Sequence, residues 1–220
     1  DIEESFTEEQ LSDPLFRLGY YDGSETYPSP TSPNYRPSIY TIRNKFGKEE
    51  RFIPNAAQCK LLKRLFIDGI RVLIVPKARQ RGMSTLFVLI ILDCLIWSVN
   101  VQTTLIDFNG QNAKKKLDEK AVFAYKRLPA AIQQMTVIRT LNRQTGEFTV
   151  GPNPEIAGVE LGKQTSTGFF GDQPRGGTNQ LVLISEWAEI AARFPQRSAD
   201  IRAGVLATAN TGIIIIETTW

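Results

Sequence analysis

The chain has 220 residues, 26 of them Lys or Arg and 23 Asp or Glu, with a formal net charge of +3, no His, 2 Cys and 42% hydrophobic residues. That length holds one large domain or two small ones, and the apolar share supports a packed core and excludes a disordered tail. The missing His excludes Ser-His-Asp and Cys-His catalysis and His-ligated zinc, so a general base must be a carboxylate, a Lys or a Tyr.

The N-terminus is acidic (Asp1, Glu3, Glu4, Glu8, Glu9) and has no signal-peptide character. Residues 1–50 read as an arm, because residues 24–38 carry Pro28, Pro30, Pro33 and Pro37 in a polar context that suits neither helix nor central strand. The arm is expected to lie on a partner surface or on the core domain, which takes up residues 51–220.

From Phe52 the pattern becomes regular. Pro54-Asn55 opens a helix with Leu61, Leu62, Leu65 and Phe66 at helical spacing, and Gly69 ends it. Residues 71–75 (RVLIV) form a short apolar run of the kind found in a buried parallel strand. A loop over 76–82 leads into a helix from Ser84 to about Val99. Its apolar run, 86–97, is too short to span a bilayer and carries Asp93. Cys59 and Cys94 both sit in apolar helical patterns, which fits a reducing compartment. Residues 101–108 read as a second strand. Residues 111–128 read as an exposed basic helix, with Lys114, Lys115, Lys116, Lys120, Lys126 and Arg127 against Asp118 and Glu119. Such a helix would face DNA phosphates or a neighbouring subunit's nucleotide, or be a solvated face.

A hairpin is predicted over 137–150, turning near Gln144-Thr145-Gly146, then a strand over 155–161 and a Gly/Thr-rich loop over 165–179. Residues 181–185 and 212–217 read as further buried strands. The sequence opens on Asp1 and stops in an apolar strand pattern at Trp220, which reads as a fragment. Strands alternating with helices predict an α/β fold, with a mostly parallel central sheet covered on both faces.

Four segments carry chemistry. The first is the strand–loop–helix at Lys77-Ala78-Arg79-Gln80-Arg81-Gly82-Met83-Ser84-Thr85. A phosphate-binding loop needs backbone N–H groups aimed at anionic oxygens, a helix N-terminus behind them, a cation and a magnesium-binding hydroxyl. Against G-x-x-x-x-G-K-[ST], Gly82 and Ser84 match, but Lys77 stands at the first glycine and Met83 at the lysine. Lys77 can still reach the outer phosphates from the strand side, with Arg79 and Arg81 adding guanidinium groups. The alternative is a basic surface loop. The second segment is Leu181-Val182-Leu183-Ile184-Ser185-Glu186, an apolar strand ending in an acid, where ligands of parallel sheets gather. Glu186 would orient and deprotonate a water, and Ser185 takes the place usual for a magnesium-binding Asp. The third is Gln58, whose amide matches the N6/N7 edge of adenine. The fourth is Thr218-Thr219 at the tip of the last strand, where hydroxyls would sense a γ-phosphate.

In this order, FIPNAAQ, KARQRGMST, RGGTNQLVLISEWAEI and IIIIETT resemble the ATPase domain of the large terminase subunit of tailed bacteriophages, from about Tyr40 to Trp220. The resemblance implies a P-loop NTPase fold of the additional-strand, RecA-like type that uses ATP and Mg2+. It also implies a motor that packs double-stranded DNA into a procapsid, as a homo-oligomeric ring on the portal protein, fed by the small terminase subunit in the host cytoplasm. Lys77 matches the family variant with its lysine at the loop's start, and Thr218-Thr219 match its coupling motif. Arg175, in the Gly-rich loop before the acidic strand, is the candidate arginine finger. The family's nuclease domain is not in these 220 residues, so no DNA cleavage is expected of them. The competing expectations are the first lobe of a nucleic-acid helicase and a degenerate nucleotide-fold interaction module, the latter favoured by the off-pattern Met83 and Ser185.

Overall fold

A computed structural model describes residues 6–77, 82–157, 164–173, 178–206 and 212–219. The chain forms a seven-stranded central sheet in the order β3 (Val72–Lys77), β9 (Ile213–Thr219), β8 (Leu181–Ile184), β4 (Gln102–Ile106), β7 (Ser166–Gly171), β6 (Glu147–Pro152), β5 (Thr136–Asn142). The first five strands run parallel, and the β6–β5 hairpin adds an antiparallel edge beside β7. The sheet is therefore mostly parallel, with helices on both faces, as the alternating pattern requires.

Helix α4 (Met83–Trp97) is apolar on every side and is correspondingly buried, from Leu86 to Leu92 and at Leu95. It packs against the face that carries Leu105, Leu183 and Ile215. The opposite face, with Ile106, Val182 and Ile184, is covered by Ile190 and Ile201 of α9 (Trp187–Arg193) and α10 (Pro195–Ile201). The hairpin turn lies where the sequence placed it, since Gly146 adopts φ +74° and any Cβ there would collide with the Phe170 carbonyl oxygen.

Four readings change. Residues 71–75, expected as a buried parallel strand, do run parallel, but as the outer strand β3, whose Val72 and Ile74 are exposed. Residues 166–171, expected as loop, form β7, because its alternating burial pairs it with both β4 and β6. Residues 155–157, the start of the strand expected over 155–161, lie in a short helix, α8 (Pro154–Ala157), and the rest of that stretch lies outside the described residues. The basic helix begins as α5 (Gly110–Lys116) and runs on through a π-helical turn (Leu117–Val122) into α6 (Phe123–Tyr125). It is exposed on one side only, as Ala113, Leu117, Ala121 and Ala124 are fully buried. The arm lies on the core domain, one of the two placements expected of it, and adds side chains to the core. Its short helices α1 (Glu8–Ser12) and α2 (Pro14–Arg17) and the hairpin β1 (Thr41–Arg43)–β2 (Glu49–Arg51) bring Leu18, Ile39 and Tyr40 fully inside.

One buried charge cluster fastens the arm. Arg17 Nε and Nη2 donate to the two oxygens of Asp93 at 2.7 and 2.6 Å, and Tyr40 Oη donates to Oδ1 at 2.6 Å. The Arg17 guanidinium also lies over the Trp97 ring. Asp93, the polar interruption in the apolar helix, is thereby explained. No helix among the described residues is long and apolar enough to cross a membrane.

Candidate active site

The carboxyl ends of β3, β9, β8 and β4 open on one side of the sheet, where α4 and α9 begin. Lys77 ends β3, in register with Thr219 of β9. Gly82 caps α4 at φ +69°, a left-handed conformation that suits glycine, and it turns the chain from the loop into the helix. Ser84 and Thr85 form the first turn of α4, with Met83 buried beside them. Ala78, Arg79, Gln80, Arg81 and the candidate finger Arg175 lie outside the described residues.

Gln58 is buried in α3 (Ala56–Leu62), and both ends of its amide are engaged. Its Oε1 accepts from the Asn55 N–H at 2.8 Å in a capping box, and its Nε2 donates to the Gly82 carbonyl at 3.0 Å. In this arrangement Gln58 latches the glycine that caps α4 to the preceding helix.

The register of the parallel strands sets a row of polar groups. Ile184 pairs with Ile216 on one side and Ile106 on the other, so Glu217, Ser185 and Asp107 follow side by side on three adjacent strands. Glu217 and Asp107 are 0% and 1% exposed. Ser84 Oγ donates to Glu217 Oε1 at 3.0 Å, and Ser185 Oγ donates to Glu217 Oε2 at 2.7 Å. Lys116 of α5 donates to Ser185 Oγ at 2.6 Å and pairs with Asp107 Oδ2 at 2.5 Å. The buried Asp107 Oδ1 has no hydrogen-bond partner among the described residues.

Glu186 follows at the N-cap of α9 with φ 59° and ψ 46°, a left-handed backbone that costs a non-glycine residue about 1–2 kcal/mol. Thr219 Oγ1 donates to Glu186 Oε1 at 3.0 Å. Thr218 Oγ1 accepts the Ala188 N–H at 3.1 Å and so caps α9, a task the Glu186 side chain does not perform. Both threonines therefore tie the tip of β9 to the acidic turn.

Ser84, Asp107, Lys116 and Glu186 line one open cavity of about 280 Å3, together with Asn112, Lys115, Glu119 and Lys120. A larger cavity of about 370 Å3 lies elsewhere, between Gly110, the hairpin turn and Asp172, and holds none of these groups. The three lysines and the α4 N-terminus can meet an anionic ligand, and the carboxylates of Asp107, Glu119 and Glu186 with the Ser84 hydroxyl suit a hard divalent cation. The described residues hold no cluster of three acidic, Cys or His side chains close enough for a metal, so a cation here would draw most ligands from phosphate and water. ATP with Mg2+ fits these donors.

Lys116, Asp107 and Glu217 were not singled out as site residues from sequence. The signal for the two acids was present, because each ends an apolar strand run as Glu186 does. Lys116 gives no such sign, as only the packing of α5 on the sheet separates it from its neighbours.

No protein-family model and no curated protein matches the sequence. Solved structures do. The HK97 bacteriophage large terminase is 16% identical over 92% of this chain and 37% of its own, with TM-score 0.56. The Thermus phage P74-26 large terminase ATPase domain, as a point mutant, is 19% identical over 67% of this chain and 59% of its own, with TM-score 0.50. Without the mutation that domain gives 18% identity, the same shares and TM-score 0.47. This chain thus spans less than two thirds of each. By its mostly parallel seven-stranded sheet, the chain has the fold of the ATPase domain of phage large terminases.

Proposed function

We propose that this chain is the ATP-hydrolysing motor domain of a terminase large subunit, which drives double-stranded DNA into a procapsid. The observation that carries the reading is the convergence of Ser84, Glu186, Lys116 and the buried Asp107 around one cavity at the carboxyl ends of parallel strands, with buried Glu217 accepting from Ser84 beside it. Its four sequence segments, met in the terminase order, support it further.

In this reading residues 77–85 cradle the triphosphate, with the Lys77 ammonium and the Arg79 and Arg81 guanidiniums on its oxygens. Bound Mg2+ neutralises charge on the phosphates. Ser84 offers a hydroxyl lone pair toward that cation, with Ser185 beside it. Glu186 accepts the proton of the attacking water, and its left-handed turn sets the direction of attack. When Glu186 gains that proton, its bond from Thr219 changes character, and Thr218 carries the change to α9. That is a physical route for coupling hydrolysis to movement. Arg175 completes a neighbour's site in the assembled ring on the portal protein, with the small terminase subunit delivering DNA in the host cytoplasm.

The decisive experiment measures nucleotide binding and phosphate release by this chain. Binding of ATP with Mg2+, with turnover lost in Glu186→Gln, is the expected result. Absence of nucleotide binding by the unaltered chain overturns the proposal.

A further inference from the structure

We infer that Lys116, at the end of α5, grips the outermost phosphate of the nucleotide, a contact that a triphosphate makes and a diphosphate lacks. The inference rests on the nucleotide reading above and deepens it. The usual lysine position of the phosphate loop holds Met83, which carries no charge. A cation for the outer phosphate oxygens can come from another wall of the cavity instead. Lys115 and Lys116 both line that cavity, but in different states. The Lys115 side chain is 67% exposed and pairs with Glu119 only at 3.8 Å, whereas the Lys116 side chain is 15% exposed. Glu186, the proposed base, borders the same cavity, so Lys116 shares it with the reacting end of the triphosphate.

Two contacts hold the Lys116 ammonium in place. It lies 2.5 Å from Asp107 Oδ2, and it donates to Ser185 Oγ at 2.6 Å. Ser185 donates its own proton to Glu217 at 2.7 Å, so its oxygen meets Lys116 with a lone pair. An ammonium has three protons, and these contacts engage at most two. They are the polar partners of Lys116 among the described residues. The remaining proton is left for a phosphate oxygen in the cavity that Lys116 lines. Holding the long side chain beforehand removes part of the entropy that a free lysine loses on binding. Asp107 balances the ammonium's charge, so the contact selects by the position of a donor more than by net charge. A γ-phosphate reaches that donor, and a diphosphate, one group shorter, does not.

The test is titration calorimetry of ADP and of the non-hydrolysable triphosphate AMP-PNP, both with Mg2+. It compares the unaltered chain, Lys116→Met, and Lys116→Met combined with Asp107→Asn. Losing one charge-assisted hydrogen bond should weaken AMP-PNP by roughly 10–100-fold in both variants and leave ADP nearly unchanged. Equal losses for the two nucleotides give Lys116 a bracing role only and overturn the inference. Unchanged AMP-PNP affinity in a folded variant also overturns it. So does a loss that the added Asp107→Asn removes, since that loss comes from the stranded carboxylate. Each of these results leaves the nucleotide reading standing, because the unaltered chain binds. Failure of the unaltered chain to bind either nucleotide overturns that reading, and this inference with it. Should the variants not fold, a crystal structure of the unaltered chain with AMP-PNP decides. Lys116 Nζ within hydrogen-bond distance of a γ-phosphate oxygen supports the inference, and Nζ remote from every phosphate overturns it.

Discussion

Glu186 is held by backbone geometry as well as by chemistry. Its left-handed φ is a conformation that glycine adopts without strain. Glu186→Gly should therefore fold more stably than Glu186→Ala by about 1 kcal/mol in urea unfolding, the reverse of the ordinary helix ranking. Both should be inactive. Glu186→Gln preserves the contact with Thr219 but cannot take a proton. It should lower turnover by roughly 10²–10⁴-fold in a phosphate-release assay and leave ATP affinity unchanged, since a base acts in the transition state. Lys77 sits where β3 hands over to the loop, and Lys77→Ala should weaken ATP binding by about 1.5–3 kcal/mol by titration calorimetry.

Among the elements, the arm and α4 depend on each other. Burial pushes the Asp93 carboxyl above the usual range for an aspartate, while Arg17 and the Tyr40 hydroxyl pull it back down. Asp93→Asn leaves the Arg17 guanidinium buried without its counter-charge. It should destabilise the fold by about 3–5 kcal/mol in denaturant titration, and joint replacement of Arg17 and Asp93 by apolar residues of similar volume should recover most of that loss. The arm also reaches the site region, because Ile42, Arg43 and Asn44 of β1 and the turn after it border a cavity of about 180 Å3 with Thr85. The basic helix is likewise less uniform than its composition. Lys116 turns in to Asp107, Arg127 pairs with Glu49 and lies over Phe123, and Lys115 stays exposed toward Glu119. These fates belong to the fold, since all three side chains read alike in the sequence.

Across the whole molecule, the outer strand β3 exposes apolar surface. Val72 and Ile74 are 55% and 68% exposed on one face of a strand that, among the described residues, is paired on one edge only, with β9. An apolar sheet edge invites association with other chains. Val72→Lys should lower concentration-dependent light scattering with little change in Tm. The interior is otherwise closed to reagents. Burial pushes the Cys59 thiol up to about 11 and the Cys94 thiol up to about 12. At pH 8 the thiolate fraction of each stays at or below about 0.1%, so alkylation should be slow until the chain is unfolded.

The sequence by itself determined the alternation of strands and helices around a mostly parallel sheet, the buried character of β8 and α4, and the hairpin turn at Gly146. Each follows from a local rule: apolar runs bounded by breakers, helical spacing, or a glycine where no Cβ fits. It also located Gly82, Ser84 and Glu186 at the ends of elements, where a parallel sheet gathers its ligands. Only the tertiary structure decided what lies beside them. β7 was hidden because a Gly/Thr-rich segment gains strand character from the two strands that flank it, and has little of its own. The arm's irregular, proline-rich sequence gave no sign that Arg17 would meet a carboxylate 76 residues away. Glu217, Ser185 and Asp107 are far apart in sequence and become neighbours through strand register, a property of pairing between strands that no single segment contains.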